Sequence, residues 1–154
     1  ELNLVIEPLT HLLVLGTMDP EYLTIDNPAK VLEKARTEGH LTILAHPCRW
    51  EGGVYILDQG LRPDAIEYRT CNQEFTHAVA ARDLAERLKL PFTSAGDTHT
   101  VDMVGRYWIE TSEPIQQADD IRRIILAGKF QCHSKSEKGM FRPGFQSDPG
   151  RLGI

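Results

Sequence analysis

Short apolar runs along the chain alternate with longer stretches in which apolar residues recur at spacings of three and four. The short runs are typical of buried strands, and the longer stretches are typical of amphipathic helices. The predicted strands cover residues 12–16, 41–45, 65–68, 92–95, 107–110 and 130–133, and the predicted helices cover 28–38, 74–88 and 118–127. Strands that alternate with helices predict an α/β fold of parallel βαβ units, with the functional loops at the carboxyl ends of the strands.

The ends of the predicted helices carry residues that favour helix initiation and termination. Asn27 can cap the first helix, and Pro28 occupies the first helical position, where an N–H group is not needed. Gly39 and Gly128 follow the first and last helices, and Pro91 fixes the end of the middle one.

Five or six strands are too few for a closed eight-stranded barrel, which typically needs about 250 residues.

Two of the predicted strands stop at side chains that ligate metal ions. The run 41–45 ends at His46-Pro47, and the run 92–95 is followed by Gly96-Asp97-Thr98-His99. The carboxyl ends of parallel strands share one edge of a sheet, so we expect His46, Asp97 and His99 to converge there. Asp97 and His99 are two residues apart on an extended segment, which makes their side chains point the same way.

This ligand set predicts a hydrolytic metal centre. Imidazole and carboxylate suit Zn, Mn or Fe, and open positions around such an ion allow metal-activated water to act as the nucleophile. Ala45-His46-Pro47 alone is more often an ordinary strand ending than a metal-binding motif. Gly-Asp-x-His alone is about as often a metal-binding motif as not. Their joint occurrence at strand ends of one βα series favours the metal site.

Composition and charge exclude several other classes. The chain has 154 residues, of which 41% are hydrophobic, and a net charge of −5, so it is predicted to be one globular domain without a basic face for duplex nucleic acid. No apolar stretch approaches the length of a membrane span, and a cytoplasmic location is expected. The three cysteines lack metal-binding spacing and are predicted to be reduced thiols.

Other side chains near the predicted strand ends have a functional and a structural interpretation. Arg49 lies three residues after His46, where its guanidinium could clamp phosphate oxygens or simply be solvated. Arg106 follows the Asp-x-His loop and could do the same, or could pair with Asp102 or Glu110. Asn72 could contact a metal ion or a substrate.

The remaining histidines are predicted to be structural. His11 begins a strand, which would put it at the edge away from the chemistry if all strands were parallel. His77 shares a helical face with apolar residues and is expected to pack against the sheet. Cys132 and His133 are adjacent and are both potential metal ligands, but such a pair more often occurs by chance.

The strand-end motifs together resemble a known family. Ala45-His46-Pro47, then Ala65-Ile66-Glu67-Tyr68, then Ser94-Ala95-Gly96-Asp97-Thr98-His99 and Val104-Gly105-Arg106 are similar in order and spacing to the PHP (polymerase and histidinol phosphatase) superfamily over roughly residues 1–130. The resemblance implies a distorted seven-stranded parallel (β/α) barrel. It also implies that two or three divalent metal ions, Mn, Zn or Fe, lie at the carboxyl ends of the strands in an intact domain.

The family's ligands carry over to four positions. His46 matches the histidine of the third motif, and Asp97 and His99 match the aspartate and histidine of the fourth. Glu1 matches the second motif, in which a glutamate closes a strand end.

The first motif, a His-x-His, is absent, since no two histidines here are two residues apart. We therefore expect residues 1–134 to be an incomplete, C-terminal portion of the PHP barrel, followed by an extended tail at 135–154.

The resemblance implies a metal-dependent phosphoesterase that hydrolyses a small phosphorylated substrate with metal-activated water. Arg49 and Arg106 are the candidates to assist the reaction. The chain by itself is expected to be weakly active or inactive, because the first pair of ligands is missing, and an open barrel edge makes self-association possible. The alternatives are a non-catalytic PHP remnant that serves as a scaffold or regulatory module, and a metal-dependent amidohydrolase on a related barrel.

Overall fold

A computed structural model describes residues 2–6 and 9–135 of the chain. In this part of the chain, five strands form one sheet in the order β1-β2-β3-β4-β5, and two further strands form a separate sheet, β6-β7. The strands are β1 Leu2–Ile6, β2 Thr10–Leu15, β3 Leu41–Ala45, β4 Ala65–Arg69, β5 Phe92–Ser94, β6 Tyr107–Thr111 and β7 Phe130–Ser134. Glu1 and nearly all of the predicted tail lie outside the described residues.

Strand β3 is the centre of the larger sheet. All five of its residues are buried, as expected for a short apolar strand that is covered on both faces. It pairs antiparallel with β2, with His11 opposite Ala45, and parallel with β4, with Ile43 opposite Ala65. The carboxyl end of β3 therefore lies beside the beginning of β2.

Helix α1 begins and ends where its capping residues predict. The side chain of Asn27 accepts a 2.9 Å hydrogen bond from the backbone N–H of Ala29 at the start of α1, and Gly39 ends that helix with a φ of 83°. Helix α3 buries a row of alanines against the sheet. The helices are α1 Pro28–Glu38, α2 Tyr55–Asp58, α3 Phe75–Leu88 and α4 Asp120–Leu126. In the described part of the chain, none of them has the length and apolarity that crossing a membrane would require.

The expectation of a parallel (β/α) barrel is wrong. The described residues form an open, mixed sheet in which β2 runs antiparallel to both of its neighbours, and β6 pairs with β7 instead of extending the sheet from β5. A barrel requires every strand to pair on both sides. The second sheet instead meets β5 through single side-chain contacts, such as the 3.0 Å hydrogen bond from the Ser94 hydroxyl to the carbonyl of Trp108.

A polar network joins the sheet to helix α4 at the edge opposite the carboxyl end of β3. The Asp64 carboxylate accepts hydrogen bonds from the backbone N–H and the hydroxyl of Thr42, at 3.0 and 3.1 Å. It also accepts two from the Arg122 guanidinium, at 3.3 and 2.9 Å. A two-pronged arginine–carboxylate contact fixes orientation as well as distance, so this network holds α4 in place on the sheet.

Substitution Arg122→Met is expected to lower the free energy of unfolding by about 2–3 kcal/mol, because it leaves the largely buried Asp64 carboxylate with half of its partners. Urea unfolding measures the change. The matched control is Arg123→Met on the same helix, because Arg123 pairs with Glu113 at the surface. That control should change stability little, and equal losses in the two variants would contradict the assigned role of Asp64.

Candidate functional site

The end of β3, the loop after β5 and the beginning of β2 meet at one edge of the sheet. His46 follows β3 directly, and Asp97 and His99 lie in the loop that follows β5. His11 is the second residue of β2, and the antiparallel pairing of β2 with β3 brings it to the same edge. Three of the predicted ligands, His46, Asp97 and His99, therefore lie at this edge together with a third histidine, His11.

His46 is buried between two aromatic side chains. It is 4% exposed, and its ring lies 5.0 Å from that of Trp50 and 5.1 Å from that of His11, measured between centroids. Its Nδ1 atom is buried and has no hydrogen-bond partner among the described residues. Because buried polar atoms in proteins are nearly always paired, this nitrogen stands out as one without a partner in the described part of the chain.

Burial lowers the pKa of His46 to about 4. The negative charge of Asp97 opposes this shift, whereas His11 and Arg49 add to it. Burial lowers the pKa of His11 as well. Both imidazoles are therefore neutral near pH 7, the form in which histidine binds metal ions.

The carboxylate of Asp97 is held by three neighbours. Its Oδ2 accepts a hydrogen bond from the Arg49 guanidinium at 3.2 Å and another from the Asn72 side-chain amide at 2.8 Å. Its Oδ1 lies 3.2 Å from Nε2 of His99. The Asp97 side chain is 19% exposed and that of His99 is 67% exposed, so this part of the site opens toward solvent.

Arg49 connects the two predicted ligand groups. Its guanidinium pairs with Asp97 and also stacks on the ring of Trp50, 4.3 Å from the centroid. Trp50 in turn contacts both His11 and His46. Trp50 therefore contacts both imidazoles as well as the guanidinium that pairs with Asp97.

Two predicted ligands have unusual backbone conformations. Among the described residues, the non-glycine residues with positive φ are His46 at 31°, Lys89 at 55° and Asp97 at 42°. Lys89 caps the end of α3, where left-handed geometry is common. His46 and Asp97 end no helix, and strained residues of this kind cluster at functional sites.

His11 is the functional candidate that the sequence reasoning missed. The prediction that it lies at the edge away from the chemistry is wrong, because β2 runs antiparallel to β3. The 5.1 Å between the His11 and His46 rings is close to the separation of about 5 Å that two imidazoles have when they share one tetrahedral ion. A short gap between residues 6 and 10 signals a hairpin of β1 and β2, but it says nothing of the direction of β3.

Arg106 lies in the loop that follows His99, and its contacts there are local. Its guanidinium donates to the backbone carbonyl of Asp102 at 2.8 Å and to the carboxylate of the same residue at 2.6 Å. This is the structural alternative that the sequence left open for Arg106. Arg49 is the arginine that the structure brings to the predicted ligands.

The site has the donors of a metal centre, but they are not drawn together as a closed ligand set. Across residues 2–6 and 9–135, no group of three or more His, Cys, Asp or Glu side chains is arranged to hold a metal ion. The fourth predicted ligand, Glu1, lies outside the described residues. Arg49 and Asn72 donate to one oxygen of Asp97, and the guanidinium supplies the charge opposite this carboxylate.

Comparison with known proteins bears on the family. Residues 79–130, from within α3 to the first residue of β7, match the family model described as PHP-associated, which covers about a third of the chain. No curated protein matches the chain. This match agrees with the resemblance of the strand-end motifs to the PHP superfamily.

Proposed function

We propose that the chain is the C-terminal portion of a metal-dependent phosphoesterase domain of the PHP type, acting on a small phosphorylated substrate. The observation that carries this proposal is the buried Nδ1 of His46, which has no partner among the described residues. The carboxylate of Asp97 lies at the same edge of the sheet as this His46 nitrogen. A neutral imidazole and a carboxylate are suitable first ligands for Zn, Mn or Fe.

The donor atoms present are of the kinds that bind a divalent ion. His46, Asp97 and His99 would hold it, His11 would add a further nitrogen, and Glu1 would complete the set that the family resemblance implies. Both oxygen and nitrogen donors are available, and the pKa values of the His46 and His11 imidazoles are lowered. When bound, the ion would supply Lewis acidity and lower the pKa of a coordinated water from about 15.7 to about 7.

The chain's own residues would orient the substrate and screen its charge. Arg49 is the residue that can bind a phosphate, because a guanidinium matches two phosphate oxygens and this one lies beside the predicted ligands. Arg49 donates to Oδ2 of Asp97 and stacks on Trp50, so its guanidinium is held beside the predicted ligands, where it would meet an anionic group.

The exposed side of the site is where a substrate would enter. His99 is 67% exposed, whereas His46 is buried behind Trp50. A phosphate would therefore approach from the side of His99 and Arg49. Burial of His46 excludes water from the other side, which strengthens electrostatic interactions there.

The second candidate function is a non-catalytic PHP remnant that serves as a scaffold or regulatory module. The observation that favours it is the hydrogen bond from Arg49 to Asp97, because the guanidinium already balances the charge of the carboxylate. No three metal-binding side chains in the described ranges are arranged around a common point. A remnant of this kind would keep the fold and lose the ion.

Metal binding tests the proposal directly. The chain should bind Mn²⁺ or Zn²⁺ in isothermal titration calorimetry, and His46→Gln should weaken that binding at least about tenfold. His40→Gln is the matched control, because His40 adjoins the opposite end of β3 and contacts Glu38 and Asp119. Absence of metal binding by the unaltered chain, or equal binding by His46→Gln, would contradict the proposal.

Hydrolysis separates the enzyme from the remnant. With Mn²⁺ present, the enzyme should release phosphate from at least one member of a panel of phosphate monoesters, and Arg49→Ala should raise KM more than it lowers kcat. The rate is expected to be low for this chain. Metal binding without release of phosphate from any ester would favour the scaffold.

Stability should depend on pH through His46. Its pKa is about 4 in the folded chain and 6.5 in an ordinary environment, so the unfolded chain alone takes up a proton between these values. The free energy of unfolding should therefore fall as the pH drops across this window, by at most about 1.4 kcal/mol per pH unit from this residue. Urea unfolding at several pH values measures the slope, which should be shallower in His46→Gln. Equal slopes would contradict the assignment.

A further inference from the structure

The loops that follow β4 and β5 are joined by hydrogen bonds at the candidate site. The backbone N–H of Cys71 donates to the carbonyl of Gly96 at 3.3 Å. The side-chain amide nitrogen of Asn72 donates both to the backbone carbonyl of Asp97 and to Oδ2 of its carboxylate, the latter at 2.8 Å. One side chain from the neighbouring loop thus holds the backbone and the carboxylate of a predicted ligand together.

The orientation of the Asn72 amide is fixed by chemistry. Both of its partners on Asp97 are oxygen atoms that only accept hydrogen bonds, so the NH₂ group must face them. The backbone N–H of Asn72 donates to the hydroxyl of Thr70 at 3.2 Å, and Thr70 is only 2% exposed. Asn72 is therefore anchored at its own backbone to a buried residue at the end of β4.

Asp97 needs such support because its backbone conformation is unfavourable. Its φ of 42° lies in the left-handed region, which is unfavourable for most L-residues. The hydrogen bond from Asn72 to the Asp97 carbonyl stabilises this conformation. Gly96, next to it, allows the chain to fold closely on Thr98, since a Cβ atom at Gly96 would lie 2.3 Å from the Thr98 hydroxyl.

The two oxygens of Asp97 have different surroundings. Oδ2 accepts hydrogen bonds from both Asn72 and Arg49, whereas Oδ1 lies beside Nε2 of His99. Oδ1 and the His99 nitrogen are two potential donor atoms on one loop, 3.2 Å apart. By retaining Oδ2, Asn72 turns Oδ1 toward the second ligand of the Asp-x-His motif.

We propose that Asn72 is a positioning residue that holds Asp97 so that Oδ1, next to His99, is the oxygen presented to a divalent cation. This inference rests on the metal site of the proposed function and adds a residue from outside the ligand motifs. Partners that orient metal ligands typically contribute a factor of about 10–100 in metal affinity.

The test is Asn72→Ala, which removes both hydrogen bonds to Asp97. It should weaken the binding of Mn²⁺, measured by isothermal titration calorimetry, by about 10- to 100-fold. The matched control is Gln73→Ala, because the amide of Gln73 donates to the backbone carbonyl of Tyr68 and not to Asp97. Both variants lose amide hydrogen bonds in the same loop, so their losses in unfolding free energy should be similar. Only Asn72→Ala should change metal affinity.

A measurement without metal separates this inference from the proposed function. The ¹³Cα and ¹³Cβ chemical shifts of Asp97 report its backbone conformation, and they should leave the left-handed range in Asn72→Ala and stay in it in Gln73→Ala. If the unaltered chain binds no Mn²⁺, the proposed function fails, and these shifts decide whether Asn72 holds Asp97. Unchanged shifts, or unchanged Mn²⁺ affinity in a chain that binds the ion, would overturn the role of Asn72.

Discussion

The burial of strand β3 on both faces is the constraint on which the rest of the molecule depends. A strand with no exposed face must be covered by helices and flanked by strands on both edges, because its backbone groups cannot reach water. Here the flanking strands run in opposite directions, β2 antiparallel and β4 parallel. That choice brings the beginning of one strand and the ends of two others to a single edge, and it creates the candidate site.

The electrostatics of the site follow from unequal burial. His46 loses its charge because solvation of an imidazolium is lost in the interior, whereas Asp97 keeps a partner of opposite charge in Arg49. An unpaired carboxylate at this depth would be destabilising, so the ion pair with Arg49 stabilises the chain. The proposed cation would compete with this ion pair for Asp97.

Two side chains of the site are held in place, and a third is accessible to solvent. His46 is fixed by aromatic contacts, and Asp97 is fixed by hydrogen bonds from Asn72 in the loop after β4. His99 extends into solvent. At the opposite edge of the sheet, the contact of Asp64 with Arg122 holds α4 without taking part in this chemistry. Pre-organised ligands beside an open approach are what a site that binds a small anion through a metal ion requires.

The amino-acid sequence determined the local features. Alternation of apolar and polar residues placed the strands and helices, Asn27 and Gly39 set the limits of α1, and the polar residues after two apolar runs marked the candidate ligands. These signals act over a few residues and can be read without knowing what packs against them. Strand direction and sheet membership cannot be read in this way, since the same apolar run fits a parallel or an antiparallel neighbour. Only tertiary pairing turned β2 around to bring His11 beside His46, and only tertiary pairing joined β6 to β7 in a separate sheet instead of closing a barrel.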